Sequence, residues 1–167
     1  MSSNPFLPPP SDRDPVRRFR GRLATPVTIL TTGEDHSRTG ITVSSLVVIE
    51  GEPGLVRAVV GPVSDAWHNL DESRRLVVHV CDRSHHVLGD VFAQIRPNPG
   101  GLCAGVAHTQ SAWGPVLDDI PTRLYATVTG MEPVGWSGMV TATIDRVEIG
   151  DLSDPLVYFR GRYRGLD

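Results

Sequence analysis

The chain has 167 residues, a length typical of one domain, and 40% of them are hydrophobic. This composition excludes a wholly disordered or collagen-like chain, because enough apolar side chains are present to build a core. All 16 cationic residues are arginines, and against 19 acidic residues they give a formal net charge of −3. No protein-wide positive field attracts DNA or an anionic membrane, so we expect neither as a partner.

The first 23 residues divide into two parts. Residues 1–12 hold four prolines among small polar residues and predict a flexible N-terminal arm, which leaves residues 13–167 as the folded domain. Between Asp12 and Leu23 the sequence favours a helix, with Asp12 or Asp14 as its cap and Pro15 in its first turn. The five arginines of this segment predict either a solvated face or a surface for an anion or a partner.

Neither a secretory signal nor a membrane span is evident in the sequence. The N-terminus lacks a cationic start and a long apolar stretch, and no run approaches the roughly 20 apolar residues that a span requires. We therefore expect a cytoplasmic protein. Cys81 and Cys103 have no metal-type spacing and predict buried thiols rather than a disulfide.

Apolar residues alternate with polar ones in many short segments, which is typical of half-buried strands. Strands are predicted at 26–32, 41–44, 55–60, 76–81, 124–129, 140–145 and 156–159. Short helices are predicted from Ser64 to Glu72 and from Ser84 to Ala93, and residues 97–114 are predicted to form a long loop. Six or seven strands in this length are most simply closed into a β-barrel, which removes exposed edges.

The common catalytic motifs are missing. The sequence has no GxxxxGK[ST], no GxGxxG after a strand, no HExxH and no GxSxG, so nucleotide hydrolases, Rossmann enzymes, zincins and serine hydrolases are all disfavoured. The one adjacent histidine pair, His85 and His86, lacks a third ligand at suitable spacing. We predict no metal site.

The segment GITVSSL at residues 40–46 carries the most chemistry. Thr42, Ser44 and Ser45 place three hydroxyls beside backbone N–H groups within four residues. Such neutral donors suit a phosphate, a ribityl chain or the polar edge of a heterocycle. Composition alone also fits an ordinary strand rich in serine and threonine. The order of other segments along the chain has to decide between a binding segment and an ordinary strand.

Six segments occur in an order that matches one known family. They are TPVTILTT at 25–32, GITVSSL at 40–46, EPGLV at 52–56, LVVHVC at 76–81, LGDVFA at 88–93 and PLVYFRGRYR at 155–164. The second is similar to the signature G-x-T-x-S-S-[FL]. From about residue 15 to its end, the chain resembles the flavin reductase-like family of FMN-binding split barrels.

The resemblance implies a mainly β fold, a closed, Greek-key-like split barrel with a few short flanking helices. It implies a homodimer with FMN at the subunit interface, and an enzyme that transfers hydride from NAD(P)H to FMN, or to FAD as a substrate. Reduced flavin could then serve a separate monooxygenase component. The implied FMN contacts are Thr42, Val43, Ser44, Ser45, Ser64, Phe92 and Ala93. No side chain is required as an acid or base, because the cofactor carries the redox chemistry.

Three positions depart from the family pattern. Val140 stands where members often carry a histidine near the pyridine-nucleotide site, His79 replaces an asparagine, and Gly54 interrupts a P-P-L-V motif. These departures leave an alternative open, namely a flavin- or deazaflavin-binding protein without efficient NAD(P)H reductase activity.

Overall fold

The computed structural model describes residues 14–101 and 103–167, so the predicted arm at 1–12 lies outside the described residues. Within these residues there are three α-helices, α1 (Pro15–Arg20), α2 (Asp65–Ser73) and α3 (His86–Phe92). The strands are β1 (Thr25–Pro26), β2 (Thr28–Thr32), β3 (Thr39–Val43), β4 (Leu46–Ile49), β5 (Leu55–Val60), β6 (Arg75–Val80), β7 (His108–Ser111), β8 (Gly114–Leu117), β9 (Arg123–Val134), β10 (Ser137–Glu148), β11 (Val157–Phe159) and β12 (Arg162–Arg164). This confirms a mainly β chain with short helices.

Seven strands form one antiparallel sheet in the order β3-β2-β6-β9-β10-β5-β4. A three-stranded sheet, β1-β11-β12, and the hairpin β7-β8 flank it. Strands β3 and β4 lie at opposite edges of the large sheet, yet only Ser44 and Ser45 connect them. The sheet must therefore curl until its two edges approach each other at these serines. No ladder pairs β3 with β4 in the described residues, so the observed architecture is a curled half-barrel.

Strand β2 separates the two main clusters of the core. All five of its residues are buried, and successive side chains of a strand point to opposite faces. Leu30 packs inside the curled sheet, with Leu70 of α2, whereas Ile29 packs on the other face with Phe92 of α3. The helices are thus held on opposite sides of one strand, and α3 is positioned beside the outer cluster.

The three predicted helices are present; the bounds of α2 and α3 agree within two residues, and α1 ends at Arg20, three residues before Leu23. Asp14 caps α1 by accepting a hydrogen bond from the backbone N–H of Val16 at 3.0 Å. Ser64 caps α2, and a 3₁₀ turn at Arg83–His85 precedes α3. In the described residues, no helix has the length and apolar character needed to cross a membrane.

Some strand predictions need correction. The predicted strand at 26–32 is divided at Val27, because β1 pairs with β11 while β2 pairs with β3 and β6. The prediction of a loop through residue 114 is wrong from His108 onward, where β7 begins a hairpin with β8. Strand β4 was not predicted because its four consecutive apolar residues show no alternation.

Both cysteines are free thiols, as predicted. Cys81 is buried and Cys103 is half-buried. Burial raises the pKa of Cys81 to about 12, so its thiol stays protonated near neutral pH and is chemically inert.

Candidate functional site

The predicted Thr-x-Ser-Ser segment ends β3 and turns into β4. Thr42 anchors the strand to α3, because its Oγ1 donates a hydrogen bond to the carbonyl oxygen of Gly89 at 2.7 Å. Val43 is buried in the inner core. At the turn itself, the carbonyl of Ser45 accepts a hydrogen bond from the backbone N–H of Val59 at 2.9 Å, which holds the corner against β5.

Ser44 and Ser45 open onto a cleft of about 480 Å³. Ser44 is half-buried and Ser45 is exposed. Neither side-chain hydroxyl takes part in a hydrogen bond within residues 14–101 and 103–167, so both can serve a ligand. The cleft is otherwise lined by residues of α1 and the segment after it, and by the β11–β12 turn: Arg17, Arg18, Arg20, Gly21, Arg22, Leu23, Thr25, Tyr158, Arg160 and Gly161.

A second recess lies at the other end of β3. Thr39, the first residue of β3, lines it together with Asp65 of α2 and Gln94, which follows α3. The strand spans about 13 Å between the two recesses at about 3.3 Å per residue. The seven predicted site residues therefore divide into two groups. Residues 42–45 lie at or near the cleft. Ser64, Phe92 and Ala93 are close in sequence to Asp65 or Gln94, which line the second recess.

The three residues of the second group have structural roles. The Ser64 hydroxyl accepts a hydrogen bond from the N–H of Trp67 at 3.2 Å and donates one to the carbonyl of Gly61 at 2.7 Å. The half-buried Ala93 ends α3 and donates its N–H to the Gly89 carbonyl at 3.0 Å. Phe92 is 0% exposed and therefore offers no surface to a ligand in the described chain.

Phe92 instead explains why the signature begins with glycine. A Cβ built on Gly40 would lie 2.7 Å from Cε1 of Phe92 and 2.9 Å from the carbonyl oxygen of Leu30. Real Cβ atoms do not approach carbon atoms that closely. Gly40 therefore lets the Phe92 ring pack directly on β3, and this contact sets the distance between α3 and the strand that carries Thr42.

Two of the three departures from the family pattern, Val140 and His79, are buried positions of the large sheet. Val140 is 1% exposed and packs in the inner cluster, opposite Ala58 of β5. In this chain the side chain at residue 140 faces the inner core. His79 is 0% exposed, with Nδ1 3.0 Å from the Ile29 carbonyl and Nε2 accepting from the Leu117 N–H at 3.0 Å.

Sequence reasoning did not assign Tyr158, Arg160 or the arginines of α1 to this site. The signal for α1 was visible, since four arginines occur within residues 17–22. Nothing in the sequence shows that Arg160, more than 130 residues away, lines the same cleft. The pairing of β1 with β11, which aligns Thr25 with Tyr158, produces that juxtaposition.

The fold and the site together define a class: a curled antiparallel β-sheet whose Thr-x-Ser-Ser corner opens onto a cationic cleft. The family model described as "Flavin reductase like domain" matches residues 20–167, so the chain belongs to the flavin reductase-like family. This confirms the family that the sequence segments indicated.

Three relatives illustrate the similarity. The chain is 24% identical over 157 residues to the "FMN reductase (NADH) RutF" of Methylorubrum extorquens, covering 94% of this chain and 77% of that protein. The solved structure of flavin reductase PheA2 superposes with a TM-score of 0.81 at 24% identity, covering 93% and 99% of the two chains. Nitrilotriacetate monooxygenase component B from Mycobacterium thermoresistibile gives 0.81 at 25% identity, covering 91% and 85%.

Proposed function

We propose that this protein is an NAD(P)H-dependent flavin oxidoreductase that uses FMN, and FAD as an alternative flavin substrate. Membership of the flavin reductase-like family supports the reaction class, and a curated relative is named as an NADH-dependent FMN reductase. The observation that carries the proposal is the pair of open hydroxyls, Ser44 and Ser45, at the mouth of a cationic cleft.

The donor set of this corner fits a flavin. When bound, the flavin supplies the redox chemistry, and the protein has to bind and orient it. The hydroxyls of Ser44 and Ser45 can donate hydrogen bonds to the polar edge of the ring system, where negative charge develops on two-electron reduction. The nearby arginines make the local potential positive, which favours an anionic ligand. No residue has to act as a catalytic acid or base.

The remaining predicted contacts form part of the proposal. Ser64 directly precedes Asp65 and Ala93 directly precedes Gln94, and both of these neighbours line the second recess, so Ser64 and Ala93 stay proposed flavin contacts. Thr42, Val43 and Phe92 are proposed to act by holding β3 and α3 in register, since the first donates to Gly89 and the other two are buried.

Anaerobic reduction of flavin tests the reaction directly. Purified protein mixed with FMN and NADH or NADPH should bleach the long-wavelength absorbance of the flavin in a stopped-flow spectrometer. Ser45→Leu, which places a bulky apolar side chain at the corner, should lose flavin binding and remain folded, because Ser45 is exposed. Binding without bleaching by either nucleotide would refute reductase activity and leave the alternative, a flavin- or deazaflavin-binding protein.

We also propose that the chain forms a homodimer in which the split barrel is completed. Strand β4 is an edge strand whose Val47, Val48 and Ile49 are 52%, 52% and 41% exposed. Consecutive exposed apolar residues on an unpaired edge are a liability unless another chain covers them. Val48→Glu should convert the dimer to a monomer in light-scattering chromatography. A wild-type chain that elutes as a monomer at high concentration would contradict this.

A monooxygenase component is the proposed consumer of the reduced flavin. A solved relative is titled component B of nitrilotriacetate monooxygenase, and no acceptor other than flavin is implied by the site. A cytoplasmic location remains a prediction from the sequence.

A further inference from the structure

The cleft at the Ser44–Ser45 corner has charge of only one sign. Five arginines line it, and no aspartate or glutamate does. Four of them, Arg17, Arg18, Arg20 and Arg22, come from α1 and the two residues that follow it, and the fifth, Arg160, comes from the β11–β12 turn. The local charge is therefore +5 in a protein whose formal net charge is −3.

Most arginines outside the cleft, in the part of the chain that the structure describes, have an acidic partner, although Arg38, Arg75, Arg162 and Arg164 do not. Six arginines there make ion pairs: Arg57, Arg74, Arg83, Arg96, Arg123 and Arg146. None of the five in the cleft has an acidic partner within residues 14–101 and 103–167. Uncompensated like charges around one concave surface repel each other unless an anion binds between them, and guanidinium groups match phosphate oxygens in geometry.

Arg160 is held in place by its own local structure. Its φ is 49°, in the left-handed region that residues other than glycine rarely adopt. Its guanidinium carbon lies 5.2 Å from the centre of the Phe159 ring, at a distance typical of a cation–π contact. Arg160 thus lines the cleft with an uncommon backbone conformation and with its guanidinium beside the Phe159 ring.

The position of the arginines beside the serines indicates what kind of anion fits. NAD(P)H and FAD each join a redox-active ring to adenosine through a diphosphate, whereas FMN carries one phosphate and riboflavin none. A dinucleotide whose ring end reaches Ser44 and Ser45 can extend its diphosphate along the cleft toward α1. The volume of about 480 Å³ lies within the usual range for sites of this kind.

We propose that this arginine cleft binds the diphosphate–adenosine end of an adenine dinucleotide, an inference that rests on the proposed reductase function. The residues that line the cleft also favour one pyridine nucleotide over the other. Sites selective for an unphosphorylated ribose use an acidic residue on the 2′-hydroxyl, and sites for the 2′-phosphate use arginine. Because the cleft has arginines and no acid, NADPH binds more tightly than NADH.

The inference concerns this chain rather than its family as a whole. The family match begins at residue 20, so Arg17 and Arg18 precede it. The α1 side chains are exposed, and the helix buries no residue. Substitutions there leave the core intact, which makes the arginines suitable for a test that separates binding from folding.

The test compares wild type with Arg17→Gln, Arg20→Gln, Arg160→Gln and the triple variant. Arg74→Gln is the matched control, since it removes the same charge from an exposed arginine at the end of α2. KM and kcat are measured for NADPH and NADH with FMN as acceptor, and Kd is measured for FAD and FMN by quenching of flavin fluorescence. ADP and 2′,5′-ADP are tested as competitive inhibitors.

For a pyridine-nucleotide tail, the triple variant raises KM for NADPH at least tenfold with little change in kcat, and 2′,5′-ADP inhibits wild type more strongly than ADP. For the tail of FAD, Kd for FAD rises tenfold while that for FMN does not. The first result supports both the diphosphate–adenosine site and the preference for NADPH, whereas the second supports the site and overturns that preference. The proposal is overturned if the triple variant changes KM and Kd no more than Arg74→Gln does, or if FMN and FAD lose affinity equally. Wild type that oxidises neither nucleotide refutes the reductase function instead, and FAD and ADP titrations still test the cleft.

Discussion

His79 gives the sharpest test of the packing, because a titratable ring lies in the middle of the sheet. The ring is 0% exposed, and its Nε2 accepts a hydrogen bond from the N–H of Leu117. An amide nitrogen can only donate, so the ring proton resides on Nδ1, which donates to the Ile29 carbonyl at 3.0 Å. Burial lowers the pKa of His79 from 6.5 to about 4, and the ring is neutral at pH 7.

This pKa shift makes stability depend on pH. The unfolded chain takes up a proton on His79 below pH 6.5, while the folded chain takes it up only near pH 4. The unfolded state therefore binds more protons in this window, and stability falls as the pH is lowered. The full effect is about 3 kcal/mol at about 1.4 kcal/mol per pKa unit. Integrating from pH 7 to pH 5 gives a loss of about 2 kcal/mol.

Two substitutions separate titration from hydrogen bonding. His79→Asn removes the titrating group and keeps a donor and an acceptor, whereas His79→Leu leaves the Ile29 carbonyl and the Leu117 N–H without a partner. Each unsatisfied buried group costs about 1–3 kcal/mol, so the leucine variant should be the less stable at pH 7.

Urea denaturation at pH 7 and pH 5 measures both effects. Between these pH values, wild type should lose about 2 kcal/mol more unfolding free energy than His79→Asn, because all other titrating groups are shared. If the asparagine variant lost as much stability as wild type, His79 would not be a neutral buried ring, and the hydrogen-bond assignment would be wrong.

Two further predictions concern the frame of the site. Gly40→Ala should lower the free energy of unfolding by about 1–3 kcal/mol and weaken FMN binding, because the new Cβ meets the Phe92 ring at 2.7 Å. If neither unfolding in a calorimeter nor FMN binding by fluorescence titration changes, this contact is contradicted. Ser64→Ala should cost about 1 kcal/mol by removing the cap of α2, while Ser64→Gly costs only a few tenths. Equal losses for alanine and glycine in urea unfolding would show that the cap is not the cause.

The sequence was sufficient for most local structure. Asp14 with Pro15, and Ser64, mark helix starts through capping chemistry that acts within one turn, so neighbouring residues contain the information. The two-residue alternation at 140–145 likewise predicts β10, because one face of that strand is buried. The Thr-x-Ser-Ser segment was identified as the candidate site by its hydroxyl chemistry together with the order of the six segments that resemble the family, and the sequence contains both.

Other features required the tertiary structure. Gly40 contacts Phe92, His79 bridges Ile29 and Leu117, and Arg160 joins the arginines of α1, although each pair is distant in sequence. The roles of Phe92 and Val140 also changed once their burial was known. Amino-acid type and spacing determine which short elements form, since those forces are local. Which side chains share a cleft depends on strand order and the curl of the sheet, and these arise only when the whole core packs.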